Sequence, residues 1–450
     1  MRVPRAGVLS LAALLVVAAL PASAATGDLP NLGPHIGVAR MPVGGTVIVD
    51  PVAGAPVAAV ELWYRAPASG FDAKAVPSLA RLAAQAVAAS KPLVGPSLGT
   101  TVKDLGGRLN ITVYSDSLAI SAVVPAAHAK DVVRVMTTAY FAPVLNDAGF
   151  KVAQRDVAEE ALIESYNPET MVRDAVFASL FASGPQHYAI LGGFKDVAAI
   201  SIGEARAYAV RAFRSQNAVL VVTGAVEPSI AAAAVSGRPA TAGSALAAAE
   251  DHSALAVATS FEPVAKAFDQ PSGGYGWIGP PIGNEREATA LDFIADYLFR
   301  NDTGYVTRDL SEQAPDALVL GQFITLHDPG VLFVAFSGKS VDALRAKVDE
   351  GIALMRKPLP AATFANALEA FEFHILSDLQ TPEHLADNFG WYAVEGNPEY
   401  APGANGEGGV YFRAAGSLTP QFVAAVAEKY LGKPPASVVM MPAPKAPEGK

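Results

Sequence analysis

The sequence of 450 residues contains no cysteine. This absence excludes disulfide bonds, thiolate metal sites, a cysteine nucleophile and a lipoprotein-type cysteine anchor. The protein must therefore be stabilised by its apolar core, by its partners or by both.

Charged residues are also scarce. They make up 17% of the chain, against roughly 25% in an average soluble protein. This low fraction indicates either a surface that binds a partner or simply an alanine-rich composition. The net charge is −10 and Lys and Arg form no block. Because phosphate binding needs clustered basic side chains, nucleic acid is not an expected partner.

Long apolar runs are absent except at the N-terminus. There MRVPR supplies a basic start, GVLSLAALLVVAAL an apolar run, and Pro21 a break before Ala22-Ser23-Ala24. This pattern predicts a secretory signal at residues 1–24 and an exported, periplasmic protein. An uncleaved membrane anchor is the alternative, although the run is shorter than the roughly 20 residues that span a bilayer. No membrane span is expected once the signal is removed.

The rest of the chain reads as two similar halves. ITVYSDSLAISAVVPAAHAKDVVRVMTTAYF in the first half and FITLHDPGVLFVAFSGKSVDALRAKVDEGIAL in the second each predict a hairpin followed by a helix. A repeat this long indicates duplication of one α/β unit. Since hairpins dominate, we expect an α+β protein with two largely antiparallel sheets, each with helices packed on one face.

Composition also predicts the domain boundaries. Residues 231–255 are rich in Ala, Ser and Gly without a sustained amphipathic period, which predicts a linker. We therefore expect an N-terminal domain at 40–230 and a C-terminal domain at 256–450, because the chain is too long for one core.

The helix predicted at residues 77–90, PSLARLAAQAVAAS, carries few polar or ionisable side chains. Its spacing predicts an apolar stripe that packs on the core, formed by Leu79, Leu82, Ala83, Ala86 and Val87. The opposite face is expected to carry Arg81, Ala84, Gln85 and Ala88.

Common catalytic motifs are missing elsewhere in the chain. None of the seven histidines has a partner at i+4, and there is neither a G-x-S-x-G motif nor a phosphate-binding loop. The sequence does not exclude a Ser–His–Asp triad, because the members of a triad need not be close in sequence.

Two stretches resemble the pitrilysin/insulinase peptidases, which include the mitochondrial processing peptidases and bacterial relatives. The run HYAILGGFKDVAAISIGEARAYAVRAFRSQNAVLVVTGAVEP, residues 187–228, is similar to a family segment with an I-L-G loop, a helix cap, a helix and a strand ending in Gly. RDVAEEALIESYNPE is similar to the family helix that carries the third metal ligand. The resemblance implies two homologous processing-peptidase-like domains.

The same resemblance identifies a degenerate metal site. Active members carry H-x-x-E-H, in which two His bind zinc and Glu activates the metal-bound water. These positions fall on Arg81, Ala84 and Gln85, and the third-ligand position falls on Glu160. Arg and Ala cannot ligate zinc and Gln is a poor donor, so we expect neither a catalytic residue nor a bound cofactor. We also expect Arg81 to pair with the retained Glu160.

The resemblance implies a role as well. Some bacterial members work as pairs, in which one chain carries the metal motif and a sister chain has lost it. We therefore expect a non-catalytic subunit of an exported heterodimer that forms part of a chamber for unfolded or extended peptides, with zinc only in the catalytic sister. The alternatives are a stand-alone peptide-binding or structural pseudo-peptidase and a metallopeptidase with relocated chemistry. Tyr305 and Arg308 are candidates for peptide contacts, because TGYVTRDLSEQAPDAL resembles the family's peptide-gripping segment.

Overall fold

The computed structural model describes residues 29–72, 74–236, 264–266, 270–301, 303–314 and 316–442. The predicted signal at residues 1–24 lies outside these ranges, as does most of the predicted linker at 231–255. The first residues of that segment, up to Ala234, continue a helix that starts at Pro228.

Strands before residue 225 form one sheet, with the order β1-β2-β6-β3-β5-β4 among the described residues. Its strands are β1 (Gly37–Arg40), β2 (Thr46–Pro51), β3 (Val57–Arg65), β4 (Arg108–Val113), β5 (Ser117–Pro125) and β6 (Ala218–Gly224). β2 and β6 run parallel, and the other neighbours are antiparallel. The predicted hairpin is the β4–β5 pair, and the central strand β3 is buried at all but its ends.

Strands after residue 263 form a second sheet, with the order β7-β11-β8-β10-β9 in the part of the chain that the structure describes. They are β7 (Val264–Lys266), β8 (Ser272–Ile278), β9 (Leu318–Ile324), β10 (Val331–Ser337) and β11 (Ala436–Pro442). Here β7 and β11 run parallel, and the rest are antiparallel. Strand for strand, this is the order β2-β6-β3-β5-β4 of the first sheet, so the predicted internal repeat is present.

Helices connect the strands in a matching order. The first half contains α1 (Leu79–Ala89), α2 (Leu98–Asp104), α3 (Ala129–Phe141), α4 (Asp147–Glu164), α5 (Pro168–Leu180), α6 (Phe194–Ala199), α7 (Ile202–Ala212) and α8 (Pro228–Ala234). The second half contains α9 (Glu285–Phe299), α10 (Tyr305–Gln313), α11 (Val341–Met355), α12 (Ala361–Asp378), α13 (Pro382–Val394), α14 (Val410–Gly416) and α15 (Pro420–Leu431). No helix in the described ranges is long and apolar enough to cross a bilayer. The predicted fold class, antiparallel sheets with helices packed on them, is confirmed.

One helix of each half crosses over and packs on the sheet of the other half. α5 lies on β8, β10 and β11 of the second sheet. Its Val172 and Val176 fit against Gly274 and Gly276 of β8, where an added Cβ would come within 2.4 Å of a valine methyl group. This contact is apolar, and only glycine leaves room for the helix to approach so closely.

The equivalent helix α13 lies on β3 and β6 of the first sheet. Gly390 of α13 sits against the indole of Trp63, where an added Cβ would lie 2.0 Å from the ring nitrogen. The two crossing helices therefore cover the second face of each sheet and bind the halves to each other, an arrangement that the sequence did not predict.

The α13 contact buries acidic side chains that the α5 contact lacks. Glu61 of β3 is fully buried and accepts hydrogen bonds from Trp63 Nε1 at 2.7 Å and Ser121 Oγ at 2.8 Å. Burial, together with the nearby Asp387 of α13, raises the pKa of Glu61 to about 8. This carboxyl group is therefore protonated at neutral pH.

Candidate functional site

The start of helix α1 is fixed by the loop whose I-L-G run carries the family resemblance. Ser78 precedes the helix with φ 71°, and its backbone N–H donates to the carbonyl of Ile190 at 2.9 Å. Its hydroxyl accepts a hydrogen bond from the N–H of Gly192 at 2.8 Å. The loop thus holds α1 in a defined orientation, which positions the side chains of its first turns.

Ala84 and Ala88, which were predicted on the face of α1 opposite the apolar stripe, are packed against other elements. Both are buried, with exposed fractions of 0% and 3%. The physical reason is that α1 packs against α4 and α7 as well as reaching β4, so it is covered on almost every side. Arg81 and Gln85 are the polar side chains that remain partly exposed at this position.

The predicted pair of Arg81 and Glu160 is present. The guanidinium Nε lies 3.1 and 2.9 Å from the two carboxylate oxygens, and a second nitrogen, Nη2, lies 2.9 Å from Oε2. The Arg81 side chain is 16% exposed and that of Glu160 35%. This two-point geometry fixes both the position and the orientation of the groups. It also shows that Glu160, rather than a neighbouring residue, faces the first motif position of α1.

Gln85 and the backbone of α1 complete the site. Arg81 Nη1 donates to Gln85 Oε1 at 3.3 Å. The buried hydroxyl of Tyr140 donates to the carbonyl of Ala84 at 2.9 Å. Burial raises the pKa of Tyr140, so this phenol stays protonated and acts as a donor.

These residues do not fit a zinc ion. A catalytic zinc site supplies three protein ligands and leaves a position for water. Here one carboxylate is already engaged by a permanently charged guanidinium, and the amide is bonded to the same cation. Across the described residues, no group of three or more His, Asp or Glu side chains could hold a metal ion. The arrangement therefore supplies an ion pair where the resemblance would place a metal.

The repeat creates an equivalent position in the second half. α4 and α12 both contain 18 residues, and His374 occupies the place in α12 that Glu160 has in α4. His374 Nδ1 lies 2.9 Å from Asp296 Oδ2 of α9, the helix equivalent to α1. In the second half the acidic residue, Asp296, lies on the first helix of the pair, α9. In the first half the acidic residue, Glu160, lies on the second helix, α4.

A groove runs along the outer strand β9, and we call it the β9 groove. It consists of two adjoining cavities of about 810 and 340 Å³ that share Asp292, Gln322, Phe323 and Tyr392. The larger cavity lies between β9 and helices α9 and α12. The smaller cavity lies between β9, α5, α13 and the turn at residues 114–116. Peptide-sized space therefore exists where the two halves meet.

Sequence reasoning missed the β9 groove. Its walls come from elements far apart in the chain, and no short motif marks them. The alternation of residues in β9 predicts a strand, but it does not show that this strand lies at the edge of the sheet.

The predicted peptide contacts lie elsewhere. Tyr305 stacks on Tyr297 and donates from its hydroxyl to Glu350 Oε1 at 2.7 Å, and Lys347 Nζ lies 4.8 Å from its ring centre. Arg308 Nε lies 3.9 Å from Asp309 Oδ1. Neither residue lines the β9 groove, and a role for them in peptide binding stays a prediction.

No protein-family model and no curated protein sequence matches the chain. Solved structures do match. A protease from Helicobacter pylori is similar with a TM-score of 0.80 and 15% identity, over 91% of this chain and 100% of that one. A peptidase M16 inactive domain from Pseudomonas fluorescens gives 0.74 and 15%, over 91% and 98%. A chain of complex III2 from Candida albicans, with Inz-5 bound, gives 0.72 and 10%, over 90% and 95%.

Identities of this size show the fold alone. They agree with the resemblance to pitrilysin/insulinase peptidases, since the matched structures include an M16 protein that its description calls inactive. The likeness extends over nearly the whole described chain, both halves included. This chain has the fold of the M16-like peptidases.

Proposed function

We propose that this protein is a non-catalytic subunit of an exported, heterodimeric zinc peptidase of the insulinase/pitrilysin type. It forms part of the chamber that holds an unfolded or extended peptide, and it supports a catalytic sister chain that carries the zinc. It needs no metal or cofactor of its own.

The observation that carries this proposal is the Arg81–Glu160 ion pair. A metal-free version of the fold needs something to neutralise the retained carboxylate, because an unpaired charge at a partly buried site is costly. Arg81 supplies that positive charge with three contacts of 3.1 Å or less. The pair occupies the position where the resemblance would place a metal ion.

The proposed placement outside the cytoplasm is supported by the N-terminal pattern. A basic start, a short apolar run and small residues at positions 22–24 support export, with the periplasm as the destination. The absence of cysteine is compatible with this compartment, because the fold is held by packed layers rather than by disulfides.

The test uses a candidate sister chain, a protein of the same fold that carries an intact H-x-x-E-H motif. Hydrolysis of a quenched fluorescent peptide is measured for the sister alone, for this chain alone and for the mixture. We expect activity in the mixture well above that of the sister alone, and none from this chain alone. Equal rates with and without this chain would contradict the subunit role and favour a stand-alone binding protein. Activity of this chain alone, lost on chelation, would favour relocated metal chemistry.

A further inference from the structure

Helix α13 meets the first half of the chain through polar and aromatic side chains. Glu383, Asp387, Trp391 and Glu395 follow one another at intervals of four residues, so each lies about one helical turn beyond the last. Trp391 packs edge to face on Trp63, with ring centres 6.4 Å apart. The crossing helix α5 has apolar residues at the same spacing. The acidic positions of α13 therefore have no counterpart in the contact that α5 makes.

The first acidic position of this contact is a carboxyl pair that joins the two halves. Glu61 belongs to β3 of the first half and Asp387 to α13 of the second half. Their carboxyl groups are hydrogen-bonded, and the protonated Glu61 is the donor. Glu61 is fully buried, whereas Asp387 is exposed. Water therefore reaches one member of the pair, which allows the pair to exchange its proton with solvent.

The charges nearest to this pair do not neutralise it. Glu383 of α13 acts on both members and raises the pKa of each, in addition to the effect of burial. Arg108 of β4 is bound to Glu383 itself. His384 is exposed and acts on Asp387. Because the hydrogen bonds to Glu61 come from neutral groups, loss of its proton leaves a buried negative charge next to other acids.

A second carboxyl pair joins the halves beyond the end of α13. Asp116 of the first half is 2% exposed, and Glu395 of the second half is fully buried. Asp116 accepts from Gln186 Nε2 at 3.0 Å, and Glu395 accepts from the backbone N–H of His327 at 2.7 Å. The other oxygen of each carboxyl group, Asp116 Oδ1 and Glu395 Oε1, has no hydrogen-bond partner. Buried acceptors are normally satisfied, so the two atoms indicate a missing donor.

A proton supplies the donor that this second pair lacks. Burial, and then the charge of Asp116, raises the pKa of Glu395 well above its usual range. Burial also raises the pKa of Asp116, although the charges of Arg65 and His327 oppose this. Two carboxyl groups thus share the charge of one guanidinium, since Arg65 acts on both. Like charges in a buried site favour retention of one proton by the pair.

We propose that the contact of α13 with the first sheet is a pH-controlled switch between the two halves. α13 stays packed on the first sheet while the pairs Glu61–Asp387 and Asp116–Glu395 each retain a proton, and it separates from the sheet when both pairs are fully ionised. α5 stays on the second sheet throughout, so one contact between the halves is kept. This inference goes beyond the proposed function, because it concerns the conformation of this chain alone.

The test measures amide hydrogen exchange of the purified full chain by mass spectrometry between pH 6 and pH 9. Exchange times are scaled for the pH dependence of the intrinsic rate. We expect protection of the α13 amides to fall about ten-fold or more at pH 9, because one pH unit above a pKa of about 8 changes the equilibrium ten-fold for each proton released. Protection of α5 should stay constant over the same range.

Variants connect this change to the two carboxyl pairs. Glu61→Gln and Glu395→Gln each imitate a protonated carboxyl group and should each reduce the loss of protection at pH 9, and the double variant should abolish it. Asp342→Asn, on an exposed side chain of α11, is the matched control and should behave as the wild type. If thermal melting shows that one single variant does not fold, the other still carries the test.

Tryptophan emission provides a second measurement. Trp63 donates its indole N–H to Glu61, and separation of α13 exposes its ring to water. The emission should therefore shift to longer wavelength over the same pH range in the wild type and stay constant in the double variant. The inference is overturned if α13 stays protected up to pH 9, if α5 loses protection together with α13, or if the double variant still loses protection of α13.

Discussion

The two halves of this chain have one architecture, and their matching helices are joined by different charged side chains. In the first half, α1 and α4 meet through Arg81 and Glu160, and α1 also contacts β4. In the second half, α9 and α12 meet through Asp296 and His374 beside β9. In the first half an ion pair fills the space between the two helices, whereas in the second half Asp296 lines a cavity of about 810 Å³. Duplication of a fold therefore preserves packing while the polar residues diverge.

The contacts made by the two crossing helices, α5 and α13, also differ in their polar residues. α5 packs on the second sheet through Val172, Val176 and Leu180, which are all buried. α13 packs on the first sheet over the buried carboxyl group of Glu61. One contact between the halves is thus apolar, and the other contains a group that titrates.

The largest change is expected from restoring the motif in the first half. Arg81→His, Ala84→Glu and Gln85→His together, with Glu160 retained, should bind about one zinc per chain, because three ligands and a water position become available. Zinc is measured by atomic emission after dialysis. Adding Glu160→Gln to the triple variant is the matched control and should abolish stoichiometric binding. No zinc uptake by the triple variant would show that α1 and α4 are not equivalent to the metal-binding helices.

A large loss of stability is expected at the apolar crossing contact. Leu180→Ala leaves a cavity between α5 and the second sheet and should lower the free energy of unfolding by about 2–5 kcal/mol. The loss should be the same at pH 5 and pH 8, since no titrating group is involved. Urea unfolding at both pH values provides the measurement, and a strongly pH-dependent loss would contradict the apolar description of this contact.

The stability contributed by the contact of α13 with the first sheet, which contains Glu61, should depend on pH. Because the pKa of Glu61 is about 8 in the folded state, against roughly 4.3 in an unfolded chain, the folded state binds the extra proton between these values. This contribution to stability is complete below the unfolded pKa and is lost as the pH rises toward 8, at up to about 1.4 kcal/mol per pH unit.

Glu61→Gln imitates the protonated carboxyl group and isolates this effect. The variant should match the wild type near pH 4 and exceed it in stability near pH 8, as measured by urea unfolding across that range. Leu180→Ala is the control. The difference between its free energy of unfolding and that of the wild type should not change with pH. If the free energies of unfolding of Glu61→Gln and the wild type changed with pH in the same way, Glu61 would not hold an extra proton in the folded state.

The smallest effects are expected at the two pairs of charged side chains, Arg81–Glu160 and Asp296–His374. A double-mutant cycle of Arg81→Ala and Glu160→Ala should give a coupling energy of about 1 kcal/mol, because the pair is partly exposed. A cycle of Asp296→Ala and His374→Ala should give a coupling of similar size, because these side chains are also partly buried, at 14% and 20% exposure. A coupling near zero in either cycle would show that the pair does not contribute to holding its two helices together.

Much of the fold was predictable from local patterns. The alternating residues of β4 and β5 and of β9 and β10 predicted two hairpins, and their sequence similarity predicted the repeat. The Arg81–Glu160 pair was predictable because the resemblance placed both residues around one missing ion. The burial of Ala84 and Ala88 was not, since periodicity shows that a helix has an apolar stripe but not how many neighbours surround it. The crossing of α5 and α13 and the β9 groove depend on contacts between distant segments, which no single stretch encodes.

The most direct test of the account is the metal content of the wild-type chain, purified alone from zinc-supplemented cells. The account predicts no stoichiometric zinc, with Arg81 bound to Glu160 instead. One zinc per chain, reduced to background by Gln85→Ala or Glu160→Gln, would contradict it.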